Sequence, residues 1–253
     1  MFMPAPLFPR LVLNVSLVDD YNVFTAAGSP SGPVRVVVKI ASGAEIGSTS
    51  TSTAGFIFGS GWHIGAKIEV ICNGTIMGKG GQGGTGEGAS VCTPIAGVSP
   101  TAGGPAIDAT GLPAAGMVKF TNNGTIAGGG GGGGFGGAGC VPSASSWGGG
   151  GGGSGRGKAT TAGGPGGPAS GSSNNFPGSP GGSGTSAVPG AGGLGGSAQN
   201  DTGGGGGDFG ATGGTGLANG APYNAGAAAG AATLGDSKIN FVVVGTITGT
   251  RSG

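Results

Sequence analysis

Few side chains in this sequence are of the types that carry out catalysis. His63 is the sole histidine, so most catalytic triads and His-based metal sites are excluded. It stands beside Trp62 in a Gly-flanked loop, where a structural or surface role is the simpler interpretation. The nine carboxylates are scattered, and Asp19–Asp20 is the single adjacent pair, whereas a glycosidase needs two placed carboxylates. The sequence therefore predicts a protein that is not an enzyme and holds no cofactor or metal.

The three cysteines and the glycine motifs add no catalytic signature. Cys72 alternates with Ile68 and Val70 and is expected to be a buried thiol. Cys92 and Cys140 each end a glycine tract next to a loop, which leaves a disulfide between them open. Matches to Gly-X-Gly-X-X-Gly are accidents of composition, because phosphate-binding loops need a strand-to-helix context.

Composition limits the fold and the partners. Of 253 residues, 70 are Gly and 16 are Pro, and each helical Gly costs about 1 kcal/mol relative to Ala. Ten Lys and Arg against nine Asp and Glu give a net charge of +1 without a basic run, so no nucleic acid partner is expected. No apolar stretch approaches the roughly 20 residues of a membrane span. The N-terminus does not resemble a signal peptide, and sparse cysteine usage favours synthesis in a reducing cytosol.

The elements that could position any site begin with a small β domain, which we place at residues 1–76. Residues 11–18, 34–40 and 67–72 read as strands, and Val34, Val36, Val38 and Ile40 alternate with polar residues. Turn clusters separate these strands.

A repeat links this β region to the rest of the chain. Residues 68–78, 118–128 and 239–249 share one pattern, a strand followed by Gly-Thr-Ile and Gly. The matching apolar positions predict one inward face of a shared sheet or prism. Asn-Gly at 73–74 and 123–124 suits a type I′ hairpin turn. Because the third copy has Val244-Gly245, a continuous strand with a glycine kink or bulge is preferred.

Glycine tracts follow the first two copies, and several have a period of three. In residues 78–86 the residues other than Gly fall at 79, 82 and 85. Polyproline II helices have three residues per turn and no internal hydrogen bonds, so Gly-lined helices of this type can bond one another side by side. We predict an all-β plus polyglycine II fold with essentially no α-helix. A polyglycine II bundle occupies 77–238, with an inserted strand at 117–127, and 239–253 return to the β portion.

Two other interpretations compete with the bundle. A chain rich in Gly and Pro without a period is usually disordered, but the period of three and the returning β pattern argue for order. Collagen needs uninterrupted Gly-X-Y, which these interrupted tracts do not provide.

The interruptions between tracts carry the unusual side chains. They are 91–115, 140–147, 169–180, 198–202 and 219–224. Antiparallel tracts joined by such loops would gather several loops at one end of a stiff rod, the usual arrangement for recognition. The candidate binding residues are Trp147, Asn174, Asn175, Phe176, Asp201, Phe209, Asn219 and Tyr223.

The runs NGTIMGKGGQGGTG, NNGTIAGGGGGGGFGGAG and VVVGTITG resemble the Gly-rich receptor-binding adhesins of tailed bacteriophages, over about residues 67–249. The similarity is greatest to the adhesin at the tip of T-even-type long tail fibres. It implies a sandwich of polyglycine II helices, loops that contact an outer-membrane protein or a surface glycan, and an N-terminal portion attached to the fibre. One or three copies, the latter a homotrimer, would sit at the virion's tail tip.

An alternative class is an ice-binding or cell-surface structural protein built on the same helix type. An ice binder should show a flat face of identical residues, and the third positions here, such as Lys79, Gln82 and Leu194, are heterogeneous. The sequence therefore favours an adhesin.

Overall fold

The computed structural model describes residues 8–90, 93–141, 145–158, 161–165, 168–170, 174–196 and 201–253. Its early strands are β1 (Arg10–Val15), β2 (Val18–Asp19), β3 (Tyr21–Asn22), β4 (Arg35–Ile40), β5 (Glu45–Gly47), β6 (Phe56–Ile57), β7 (Lys67–Cys72), β8 (Thr75–Met77), β9 (Gly88–Ser90), β10 (Thr93–Ile95), β11 (Ile107–Asp108), β12 (Val118–Asn122) and β13 (Thr125–Ala127). The later ones are β14 (Gly139–Val141), β15 (Ser145–Trp147), β16 (Ala169–Ser170), β17 (Asn174–Phe176), β18 (Leu217–Ala218), β19 (Ala221–Pro222), β20 (Thr233–Leu234), β21 (Ile239–Val243), β22 (Thr246–Thr248) and β23 (Arg251–Ser252).

Helical structure is minimal in the described part of the chain. It consists of the four-residue helix α1 (Val23–Ala26) and a 3-10 turn at Asp236–Lys238. The prediction of a nearly all-β chain with essentially no α-helix is confirmed.

Fifteen strands form a three-sided parallel β-helix, called here the body (residues 8–77, 105–127 and 232–253). Sheet 1 has the order β1-β4-β7-β12-β21, sheet 2 the order β2-β5-β8-β13-β22, and sheet 3 the order β23-β20-β11-β6-β3. Each coil of the chain adds one strand to each sheet, and neighbouring strands pair in parallel. Strands from residues 105–127 and 232–238 thus belong to the body, although the sequence division placed 77–238 in one region.

The sequence repeat lines the inside of the body. Along sheet 1, Ile68 pairs with Val118, which pairs with Ile239. In the next inward row, Phe120 lies between Val70 and Phe241 in register, and its ring centroid is 5.2 Å from that of Phe241. The expectation of one shared inward face is confirmed.

The strands of the repeat are not continuous, which corrects our preferred interpretation of the Gly-Thr-Ile motif. At Gly74 the chain turns a corner from β7 in sheet 1 to β8 in sheet 2, and it does not fold back as a hairpin. Corners of successive coils stack closely. A Cβ on Gly124 would overlap the carbonyl oxygen of Gly74, so the motif requires glycine for close backbone approach.

The glycine tracts form a second region, the glycine bundle (residues 78–104 and 128–231), inserted between sheets 2 and 3. The chain leaves the body after β8 and after β13 and returns at β11 and β20. The first outgoing tracts extend the β8–β13 pairing, because Gly78, Gly81 and Gly84 donate N–H bonds to Ala127, Gly130 and Gly133. Residues 78 and 128 therefore start side by side.

Hydrogen bonds in the glycine bundle repeat every three residues. In the central tract 128–137, Gly130, Gly133 and Gly136 donate to Arg156, Gly153 and Gly150 at 2.8–2.9 Å. The residues between them donate to other tracts: Gly129 to Gly104, Gly132 to Thr101, Gly131 to Ala211, and Gly134 to Gly214. Carbonyls of this tract also accept from Gly81, Gly207, Gly204, Ala227 and Gly230. This is the bonding expected of packed helices with three residues per turn.

Close backbone packing explains why the tracts are glycine. A Cβ on Gly132 would overlap the carbonyl oxygen of Gln82, and one on Gly131 would overlap that of Ala227. The hydrophobic cluster, in contrast, lies entirely within the body. Main-chain hydrogen bonds take the place of side-chain burial in the glycine bundle.

Candidate functional site

Loops from separate tracts meet at the end of the glycine bundle that lies away from the body. We call this the loop end: the described residues of 87–98, 138–147, 169–176, 194–201 and 217–223. Three short antiparallel hairpins form there, β9–β10, β14–β15 and β18–β19. Parallel pairing then joins the loops, because β17 adds to β15 and β16 adds to β9. The loops therefore form a connected surface.

A buried carboxylate links three of these loops. Asp201 is only 2% exposed. Its Oδ2 accepts a hydrogen bond from the indole Nε1 of Trp147 at 2.8 Å, and its Oδ1 accepts one from the backbone N–H of Asn219 at 2.6 Å. Hydrogen bonds to a charged group are stronger than neutral ones, so Asp201 fixes the relative positions of its neighbours.

A second carboxylate, Glu87, makes a similar link on the first outgoing tract. Its Oε1 accepts a hydrogen bond from the Tyr223 hydroxyl at 2.5 Å, and its Oε2 accepts one from the N–H of Ala138 at 3.3 Å. The bond to Glu87 raises the pKa of Tyr223 to about 12, with burial as a smaller cause. The Tyr223 ring also meets Phe135 edge-on, with centroids 6.1 Å apart.

Apolar side chains remain exposed around these links. Phe176 is 45% exposed and Tyr223 is 48% exposed, and Ile95, Val98 and Leu194 are also largely open to solvent. Aromatic residues such as Trp and Tyr are enriched at the centres of binding interfaces. The loop end thus presents apolar groups on a fixed backbone.

The tip of the last hairpin is a two-residue turn at Asn219 and Gly220. Both residues have positive φ, 49° and 76°, and β18 and β19 pair directly on either side. Positive φ at both central positions defines a type I′ turn, for which Asn-Gly is the preferred sequence. By sequence the Asn-Gly pair at 73–74 suits a type I′ turn, but the structure forms this turn at 219–220. Asn219 is exposed there.

The structure places the eight predicted site residues in two locations. Seven lie at the loop end: Trp147, Asn174, Asn175, Phe176, Asp201, Asn219 and Tyr223. Phe209 lies at the opposite end of the glycine bundle, where Gly210 bonds to Gly128 beside the body. Sequence reasoning missed this because the chain reverses direction after each tract, so that its turns alternate between the loop end and the end beside the body. It also missed Glu87, an isolated carboxylate at the end of a tract.

Near Phe209, a cleft of about 430 Å³ separates the glycine bundle from sheet 2. The Arg156 guanidinium is held there by an ion pair to Asp208 at 2.8 Å and lies over the Phe209 ring at 4.3 Å. The Arg156 bond is the main cause that lowers the pKa of Asp208. These contacts join two turns of the glycine bundle beside the body, and the ion pair between Lys158 and Glu45, at 3.3 Å, connects the glycine bundle to the body.

The remaining chemistry is sparse in the described part of the chain. Burial raises the pKa of the Cys72 thiol to about 11, so it stays protonated at neutral pH. Cys92 lies outside the described residues, so a disulfide between Cys92 and Cys140 stays an open prediction. No group of three or more potential metal-ligating side chains occurs among the described residues. No described helix has the length and apolar character needed to cross a lipid bilayer.

Comparison with known proteins accounts for this architecture. Residues 11–252 match the family described as phage tail fibre adhesin Gp38. The chain belongs to this adhesin family. It is also similar to a crystal structure of the gp37–gp38 adhesin tip complex of the bacteriophage S16 long tail fibre, with a TM-score of 0.58 and 26% sequence identity over 96% of this chain and 82% of that one. No curated protein matches the sequence.

The adhesin family match also covers the N-terminal residues that sequence reasoning treated apart. It begins at residue 11 and therefore includes the first coil of the body. Membership implies a structural role on the tail of a virion.

Proposed function

We propose that this adhesin sits at the tip of a phage tail fibre and binds a bacterial surface receptor, an outer-membrane protein or a surface glycan, through its loop end. The proposal assigns no catalytic step, cofactor, nucleic acid or membrane insertion to the chain. The body attaches to the tail fibre, and the glycine bundle, built of polyglycine II helices, holds the loops away from it.

One observation carries the proposal: loops that are far apart in sequence form one connected surface at the end of a rigid bundle. Phe176 and Tyr223 are exposed there, while Asp201 and Glu87 hold the loops from within. Loops fixed before binding lose less conformational entropy when the receptor binds. The S16 structure contains an adhesin of this kind in complex with its fibre protein, which supports an attached rather than a free adhesin.

In this proposal the predicted binding residues have different roles. Phe176, Asn174, Asn175, Asn219 and Tyr223 are proposed contacts. Asp201 positions the loops, since it is 2% exposed, and Trp147 supports it through the indole bond. Phe209 is removed from the proposed contact surface because it lies beside the body.

Competition for phage adsorption tests the proposal. Purified chain should reduce adsorption to a permissive strain, and Phe176→Ala should weaken that competition about tenfold or more, as for a binding hot spot. Val188→Ala is the matched control, because Val188 is 58% exposed but lies at the opposite end of the glycine bundle. Both variants should keep the wild-type melting temperature. Equal competition by Phe176→Ala and wild type on every permissive strain would contradict the assigned surface.

A further inference from the structure

Positive charge is concentrated on the outer face of sheet 1. Five of the ten Lys and Arg residues of the chain project from its strands and are exposed: Arg10, Arg35, Lys39, Lys67 and Lys119. Glu69 is the one carboxylate on the same strands. This face therefore carries 5 − 1 = +4, and the rest of the chain carries 5 − 8 = −3.

These cations differ from the others in having few partners. Arg35 pairs with Glu69 at 3.0 Å, but none of the other four forms an ion pair or a side-chain hydrogen bond with a described residue. All five cations elsewhere are engaged: Lys79 with Thr49, Arg156 with Asp208, Lys158 with Glu45, Lys238 with Thr110, and Arg251 with Asp236. The Lys and Arg residues without a partner among the described residues are thus confined to one face.

The arrangement of the charges is unfavourable for the isolated chain. Arg10 is directly opposite Arg35, and Arg35 is directly opposite Lys67, on three successive strands. Neighbouring strands lie about 4.8 Å apart, and like charges directly opposite one another destabilise a sheet. Beside this row is a depression of about 320 Å³ lined by Arg35, Lys67, Glu69, Met117 and Lys119. An acidic group from a partner would relieve the repulsion.

The topology shows which way this face points. The glycine bundle leaves the body after strands of sheet 2 and returns at strands of sheet 3. In a three-sided coil, the side opposite the junction of sheets 2 and 3 is sheet 1. The basic face therefore lies on the side of the body opposite the glycine bundle and its loop end.

We propose that the outer face of sheet 1 is the surface by which this adhesin docks on its tail fibre protein, and that the fibre offers an acidic surface there. The inference rests on the proposed function, because it requires the body to attach to a fibre. It adds the face used, the cations involved and the charge of the partner. Charge complementarity of this kind speeds association and fixes orientation.

Binding of the full chain to the fibre subunit of the same virion, purified separately, tests the inference. Lys67→Gln combined with Lys119→Gln should raise the dissociation constant about tenfold or more at physiological salt. The matched control is Thr246→Glu combined with Thr215→Glu, which makes the same change in net charge at exposed positions away from sheet 1. The control should bind the fibre like wild type, and wild-type affinity should fall as salt rises.

The outcomes separate the inference from the proposed function. If both variants bind the fibre as wild type does, the basic face is not the docking surface, although fibre attachment stands. If wild type does not bind the fibre but binds lipopolysaccharide vesicles, and Lys67→Gln with Lys119→Gln abolishes that binding, the face contacts the host and the inference is overturned. A wild type that binds neither overturns the inference together with fibre attachment, whereas adsorption competition still tests the loop end separately.

Discussion

The body and the glycine bundle solve the problem of packing in opposite ways. The body buries large side chains such as Phe56, Phe58 and Phe120 completely, so its stability comes from apolar surface removed from water. The glycine bundle buries almost no large side chains, and its tracts bond backbone to backbone. Shortening a buried side chain should therefore destabilise the body, whereas adding a side chain should destabilise the glycine bundle.

The largest expected effect comes from shortening a side chain in the body. Phe120 is fully buried against Phe241, so Phe120→Ala should lower the free energy of unfolding by about 3–5 kcal/mol. Val244→Ala, at a position 58% exposed, should change it by less than about 0.5 kcal/mol. Chemical denaturation measures both. Similar losses in the two variants would mean that the body is not held by its core.

In the glycine bundle, lengthening a side chain should be harmful. Gly132→Ala would drive a methyl group into the Gln82 carbonyl and should cost about 1–3 kcal/mol. Gly205→Ala is the matched control, because the nearest atom to its new Cβ is 3.7 Å away. That variant should be neutral or more stable by up to about 1 kcal/mol, since Ala has less freedom in the unfolded chain. Thermal unfolding of both gives the test, and equal destabilisation would contradict close packing at Gly132.

The loop end is the part of the glycine bundle in which a buried side chain, Asp201, also contributes to stability. Asp201→Asn keeps the size but removes the charge that binds the Trp147 indole and the Asn219 N–H. We expect a loss of about 1–3 kcal/mol in local stability, seen as faster hydrogen exchange at 217–223 with little change around Phe120. Uniform acceleration across the body would show that the two regions do not unfold separately.

The smallest effect concerns alkaline pH. Tyr223 has its pKa raised to about 12 by Glu87, above the ordinary value of about 10. Its contribution is therefore fully present below about pH 10 and is lost as pH rises through the folded value. The chain has two tyrosines, and ultraviolet titration follows both. Glu87→Gln should move one transition toward pH 10, and Tyr223→Phe should remove that same transition. An unchanged curve in Glu87→Gln would exclude the bond.

Much of the architecture could be predicted from sequence, for local reasons. The spacing of Ile68, Val70 and their counterparts in the other repeats predicts an inward row, because side chains alternate along a strand. The period of three in the tracts indicates threefold helices joined sideways, and the polyglycine II conformation itself stays a prediction. Loops gathered at one end followed from antiparallel tracts of similar length.

Other features could not be found in this way. Phe209 and Phe176 both follow glycine tracts, yet they lie at opposite ends because the chain reverses direction between them. The corner at Gly74 and the turn at Asn219 have the same Asn-Gly sequence in different structures. In the body the following segment pairs with the next coil, whereas at β18–β19 it pairs with its own neighbour.

The sequence by itself determined that this chain avoids helices, repeats one strand pattern and fills its tracts with glycine, since these follow from local conformational preference and spacing. Only the tertiary structure decided that Arg10, Arg35 and Lys67 share one face, and that Asp201 lies beneath the loops that it joins. The physical reason is strand register. The three copies of the repeat are 50 and 121 residues apart in sequence and are aligned by packing in the folded body. A short stretch of sequence does not determine that alignment.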